Sequence, residues 1–395
     1  MSDAEQHDES DQAAEGESVE MTSEQLQESK AYGRRELACS LLDMVIDVVY
    51  LATIALFVAT ALDRWLSEWS PLQNDWLRLA ALYLVTMGLH YVISFPLSFY
   101  SGFLLEHQYG LSRQSLLRWL RRYLLQNLLV VAFGLVMVMG LFAIIWWVGS
   151  AWWLVAAGAS FVVTVLLGQF IPVFILPLFY KIEQLENEDL SERFEQLARG
   201  TSLRLEGVYR MQLSSETSKA NAMLAGLGRT RRVLLGDTLL DDFSPDEIEV
   251  VLAHEIGHHV FHHITKLILV GLVYSAISFF LCDRIMRVWI SANDGSFDYA
   301  QVPVAALPLL LLVVTVFSLL LSPLRNYVSR QFENQCDRYA LRVTSKHEAY
   351  RTAFSKLAKL NKSDPDPHPL EVILFHDHPP IADRLALADE EAAPT

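Results

Sequence analysis

Six apolar runs, each about the length needed to cross a bilayer as a helix, constrain this 395-residue chain more than any other feature. They cover roughly residues 41–62, 77–100, 124–147, 152–178, 264–282 and 302–324. Inside a bilayer no water satisfies the backbone, so each run must close its hydrogen bonds within itself as a helix. The expected fold class is therefore an α-helical polytopic membrane protein of about six transmembrane helices. Runs three and four are joined by Val148 to Ala151, between Trp146-Trp147 and Trp152-Trp153. Paired tryptophans at so short a turn mark a membrane–water interface. Pro172 and Pro177 predict a kink near the end of the fourth run. Asp43 and Asp47 lie one helical turn apart in the first run, so they face either protein or water.

Charge sets the orientation. Lys30, Arg34 and Arg35 precede the first run, and Arg113, Arg118, Arg121 and Arg122 crowd the loop between runs two and three. The stretches 63–76 and 291–301 hold only Arg64 between them. The positive-inside rule then places both termini and the polar regions in the cytoplasm, with Arg284 and Arg287 on the opposite side. The formal net charge of −15 is mostly local, because residues 1–29 carry ten Asp or Glu and no Lys or Arg. Such a segment reads as disordered, and the acidic balance argues against nucleic acid as a partner. The three cysteines, Cys39, Cys282 and Cys336, are too scattered to imply a disulfide framework.

Five units follow. Residues 1–36 read as an acidic tail and 37–180 as spans one to four. Residues 181–263 read as a cytoplasmic α+β insert, 264–324 as spans five and six, and 325–395 as a cytoplasmic helical segment. Within the insert, Glu188 to Arg199 has helical spacing, Leu205 to Leu213 alternates as a strand, and Ala220–Leu224 with Arg232–Leu235 flank a glycine-containing turn as a hairpin. Ser244-Pro245-Asp246-Glu247 is a helix start with a capping box.

That helix carries His254-Glu255-Ile-Gly-His258. Residues four apart share a helix face, so both imidazoles can bind one zinc ion with Glu255 placed to act on a metal-bound water. His259, His262 and His263 read as surface or outer residues of that site. A catalytic zinc needs a third protein ligand. Glu333 and Asp337 share one face of a later helix, so Glu333 can ligate while Asp337 holds a ligand histidine, although such spacing is common on solvated helices. His378, in His376-Asp-His-Pro-Pro380, and Arg384 can donate to a developing oxyanion, or can belong to a proline-fixed surface turn.

Together these segments resemble the type I CAAX prenyl endopeptidases, integral-membrane zinc proteases. The resemblance spans about residues 30–388. Its carriers are Phe95-Pro96 to Tyr100 with Glu106 to Gly110, Pro177 to Lys181, Asn221-Ala222, Val233 to Leu240, the His254–His258 motif, Ser329-Arg330-x-x-Glu333-x-x-x-Asp337, and His378-Pro-Pro with Arg384. It implies helices packed as a chamber, and one zinc per chain on His254, His258 and Glu333. It also implies Glu255 as general base, Asp337 as support for a ligand, and His378 and Arg384 lining the site. Asn221 and Ala222 would pair with the substrate backbone as an edge strand.

Three departures stand out. Eukaryotic members have seven spans, and the acidic tail stands where their first would be, as in a bacterial-type member. Met223 and Leu224 replace aromatic residues in the substrate groove, and Cys336 replaces a small residue near the metal. The implied activity is membrane-embedded zinc endopeptidase action at the cytoplasmic face, in a bacterial inner membrane or endoplasmic reticulum. Its substrate is a peptide or protein, either prenylated or membrane-associated. The alternatives are a quality-control protease of membrane proteins, a site-2-type intramembrane protease, and a non-catalytic zinc-containing lipid-binding or scaffold chamber.

Overall fold

The structure, a computed structural model, describes residues 21–392 other than 202, 204 and 227–230. Among the described residues, five helical stretches are long and apolar enough to cross a membrane: Ser23–Ser67, Asp75–Gln108, Leu116–Phe179, His263–Ala292 and Val304–Thr344. Their principal helices are α1 (Ser23–Thr53), α2 (Asp75–Phe99), α3 (Leu116–Val148) and α4 (Trp152–Phe170), followed later by α8 and α9. The third stretch holds both α3 and α4. It turns at Gly149, whose φ of 71° suits a residue without Cβ. Its ends meet again, for Arg122 Nη1 donates to the Phe179 carbonyl at 3.0 Å. The stretch is thus a hairpin, and the five stretches make six arms.

The helices outrun the apolar runs. α1 starts at Ser23, under a capping box of Thr22 and Gln25, so the last part of the stretch expected as tail is helical. Residues 1–20, the rest of that tail, lie outside the described residues. Pro172 sits in a widened π turn, Ile171–Ile175, which opens the bonding ladder that its ring would break. Leu79, Leu82, Phe142, Ile145, Trp152, Met286 and Leu307 form the core of the bundle. Within it Asp283 is fully buried and accepts from Trp152 Nε1 at 2.9 Å and Tyr299 Oη at 2.7 Å, with Arg287 Nε at 3.0 Å.

Between the hairpin and the last two spans lies the α+β unit. Its elements are β1 (Ile182–Gln184), α5 (Glu188–Ala198), β2 (Leu205–Met211), β3 (Ala222–Ala225), β4 (Arg231–Gly236), α6 (Asp237–Asp242) and α7 (Pro245–Val260). The sheet order is β1-β2-β4-β3, with β2 and β4 parallel and the outer pairs antiparallel. β3 is therefore an edge strand. β1 is too short to leave an alternating pattern and was not expected from the sequence. α8 (His263–Asp294), α9 (Leu307–Thr344), α10 (His347–Asn361), α11 (Pro369–Phe375) and α12 (Ile381–Ala392) complete the chain.

Two junctions position the site. His262, at φ 56°, breaks the chain between α7 and α8, so the motif helix meets its span at an angle rather than running on into it. α9, by contrast, runs unbroken from the sixth span into the Glu333 segment. α7 packs against α9 so closely that a Cβ on Gly257 would lie 3.1 Å from both Cα and Sγ of Cys336.

Candidate metal centre

α7 presents the motif because its first turn is fastened and its core face is apolar. Ser244 Oγ accepts from Glu247 N at 3.3 Å, and Glu247 Oε2 accepts from Ser244 N at 2.7 Å. Ile248, Leu252 and Ile256 bury one face against β4 and α5. His254 and His258 are left on the face toward α9, and Glu255 reaches the edge strand β3.

Three ligand-type side chains converge there. His254 Nε2 lies 3.1 Å from Glu333 Oε2, and His258 Nε2 lies 3.2 Å from Glu333 Oε1. The rings stand at 71° with centroids 5.2 Å apart. Behind them, Asp337 Oδ1 accepts from His254 Nδ1–H at 2.8 Å, and Arg384 Nε donates to Asp337 Oδ2 at 2.9 Å. Arg384 lies over the Phe354 ring at 3.7 Å, and Asp337 is wholly buried. Burial opposes charge on His254, but Asp337 and Glu333 outweigh it and hold its pKa above the ordinary imidazole value. The centre therefore favours a positive charge.

A divalent metal fits this donor set. Glu333 Oε2 is buried and has no hydrogen-bond partner, although His254 Nε2 is 3.1 Å away. A buried carboxylate oxygen without a partner costs free energy unless something else satisfies it. The two Nε2 atoms and the two Glu333 oxygens face each other at 3.1 and 3.2 Å.

The remaining expected residues gather around the same centre. Glu255 Oε2 accepts from the Leu224 amide at 3.3 Å, which ties the motif helix to the sheet edge. His378 Nε2 lies 3.5 Å from Glu333 Oε2, and its Nδ1 pairs with Asp377 at 2.8 Å. That hydrogen bond to Asp377 is the main cause of its raised pKa. Asn221 and Ala222 enter β3, where the Asn221 carbonyl accepts from Gly236 N at 2.9 Å. Alternation along a strand then points the amides and carbonyls of Ala220, Ala222 and Leu224 to the free edge. Asn361 binds both polar groups of Ala220, at 3.0 and 3.4 Å, and Glu255 takes the Leu224 amide. Among the described residues neither backbone group of Ala222 has a partner, so it is the open rung.

A cavity of about 530 Å³ lies beside the centre, with Asn361, His378 and Arg384 on one wall and Tyr32, Glu36 and Ser40 of α1 on the other. A second, of about 340 Å³, shares Tyr32, Glu36 and Ser40 and reaches Asp43, Ser98 and Ser101. Asp43 thus faces a cavity, whereas Asp47 is held by His90 Nε2 at 2.7 Å. Sequence reasoning missed Asn361, which carries no spacing signal, and read His263 only as a surface or outer residue of the site.

Comparison with known proteins agrees with this architecture. Residues 184–392 match the profile of peptidase family M48, and residues 8–181 match the CAAX prenyl protease N-terminal region of five membrane helices. The chain is 32% identical over 247 residues to the uncharacterized metalloprotease YhfN of Bacillus subtilis, covering 62% of this chain and 57% of that relative's length. It is 29% identical to CAAX prenyl protease 1 of Saccharomyces cerevisiae, over 75% of this chain and 69% of the relative. The crystal structure of Ste24p from S. mikatae superposes with a TM-score of 0.82 at 25% identity, covering 93% of this chain and 89% of that one.

Proposed function

The chain belongs to peptidase family M48, a membrane metalloendopeptidase by that membership, and on this premise we propose that His254, His258 and Glu333 hold one zinc ion beside Glu255 as general base. The observation that carries the ligand assignment is the pair of Nε2 atoms facing a Glu333 carboxylate whose Oε2 has no hydrogen bond. Two imidazoles and one carboxylate form a hydrolytic donor set, leaving a position for water or substrate. Zinc bound there supplies a Lewis acid that polarises a carbonyl and acidifies water.

This chain's residues do the rest. Asp337, fixed by Arg384, holds the His254 ring so that Nε2 faces the site. A substrate strand pairs with Ala222, which sets the scissile carbonyl beside Glu255. Glu255 accepts the proton of the attacking water at a carboxylate oxygen and returns it to the leaving amine. His378, raised in pKa by Asp377, is a donor for the oxygen of the reacting carbonyl. Replacing Glu255 with Gln leaves metal content unchanged and lowers turnover by at least about 100-fold. Substantial turnover in that variant contradicts the mechanism.

The substrate we infer is a CAAX-type tail presented at the cytoplasmic face, on the strength of relatives named CAAX prenyl protease 1. Both termini and the α+β unit lie in the cytoplasm in this reading, because Arg113, Arg118, Arg121 and Arg122 sit on the unit's side of the bundle. The membrane is a bacterial inner membrane or the endoplasmic reticulum. A farnesylated CAAX peptide is then cut faster than its unprenylated twin, read by mass spectrometry of the released fragments. Equal rates remove prenyl recognition from the account.

A further inference from the structure

His254 has an evident support in Asp337, but His258 is the second imidazole of the same centre and among the described residues has no carboxylate behind it. Its Nε2 faces Glu333, so its Nδ1 points the other way, where His263 Nδ1 lies 3.2 Å off. Two ring nitrogens at that distance bond only if one carries a proton and the other does not. We take the direction from the next contact. His263 Nε2 lies 3.1 Å from Gln335 Oε1, an amide oxygen that can only accept, so the proton of His263 is on Nε2 and its Nδ1 is bare. His258 must then carry its proton on Nδ1, which leaves Nε2 bare. That is the tautomer that ligates a metal.

We propose that Gln335 and His263 form a neutral relay that sets the tautomer and ring orientation of His258, with His263 as a positioning residue for the metal centre. It rests on the ligand assignment proposed above. The relay is built rigidly. His263 is 1% exposed and stacks on Phe332 at 4.0 Å with the planes 7° apart. The left-handed His262 turns the chain so that His263, the first residue of α8, faces back to α7. Cys336 Sγ, 3.6 Å from His263 Nδ1, is the more distant neighbour of that nitrogen. The centre is thus asymmetric: a charged pair, Asp337 and Arg384, supports one imidazole, and an uncharged pair supports the other.

Gln335 is exposed, which makes the direction of the relay testable without disturbing the core. The full chain in detergent is titrated with zinc against a competing chelator, and the cobalt-substituted protein gives a visible spectrum of the ligand field. His263→Phe keeps the stack on Phe332 and removes the accepting nitrogen. It is expected to weaken zinc binding about 10–100-fold and alter the cobalt bands. Gln335→Glu keeps an acceptor facing His263 and retains near wild-type affinity. Gln335→Lys offers only a donor, reverses the relay and weakens binding, and does so at about 1 M salt, where surface charge is screened within about 3 Å. Wild-type affinity in His263→Phe, or equal affinity in the two Gln335 variants, overturns the relay while leaving the ligand assignment standing. A wild-type chain that takes up no zinc overturns both.

Discussion

Cys336 is the residue at which two possible ligand sets part. Its sulfur belongs with His254 and His258 to a group whose ligand atoms all lie within 4.8 Å of one another. Glu333 is nearer, with its oxygens 3.1 and 3.2 Å from the two Nε2 atoms. The thiol has a different occupation, since it packs on Gly257 where α7 and α9 approach closely. Cys336→Ala is therefore expected to keep one zinc per chain by elemental analysis, and Glu333→Gln to lose it. The opposite pattern would make the thiol the third ligand. The sequence displayed His254, Glu255 and His258 through their spacing, and it offered Glu333 and Asp337 because four residues separate them on a helix. It could not show Asn361 blocking Ala220 or Gln335 facing His263. Those contacts join residues 141 and 72 positions apart, and no periodicity records such a distance.

Among the elements, the metal centre depends on the close packing of α7 against α9. A methyl group at Gly257 would meet the Cys336 backbone, which cannot move aside as a side-chain end can. Gly257→Ala should push the helices apart, cost about 1–3 kcal/mol in unfolding free energy, and weaken metal binding by displacing Glu333 from the two histidines. Unchanged metal affinity would show that the close approach is not needed. The start of α7 should respond to acid. Glu247 is buried, which works against its charge, but Lys356 at 2.8 Å and the Ser244 amide outweigh burial and bring its pKa below the ordinary 4.5. Its contribution is therefore whole above about pH 4.5 and fades as pH falls through the lower folded value. Amide exchange in the first turn of α7 should accelerate over that window, and a Glu247→Gln variant should lack the step. The capping box was readable in Ser244-Pro-Asp-Glu247 because capping is local. The break at His262 was not, because a left-handed residue there follows from the packing of α8 rather than from its own side chain.

On the scale of the whole molecule, the α+β unit is fastened to the membrane bundle at the loop that feeds the edge strand. Glu216 lies 2.9 Å from Arg118 Nε and 3.2 Å from Arg122 Nη1. Thr217 and Ser218 bind the Leu111 carbonyl at 2.8 and 3.0 Å, and Lys219 reaches Glu106 at 3.1 Å. The arginines that suggested orientation in the sequence thus also hold β3 in register with the bundle. Glu216→Gln should leave metal content intact while raising KM and exposing residues 213–220 to limited proteolysis. An unchanged KM would separate docking from substrate binding. The spans were legible because apolar length alone demands them, and the family resemblance implied a chamber; the residues that wall the cavity between α1 and the α10–α12 region were not legible, since they come from both ends of the chain. The central claim is that segments far apart in sequence bring two imidazoles and one carboxylate to a single zinc ion. X-ray absorption at the zinc edge of the purified chain tests it directly. Only nitrogen and oxygen neighbours are expected, at about 2.0–2.2 Å, with an imidazole signature. A sulfur neighbour at about 2.3 Å would contradict it.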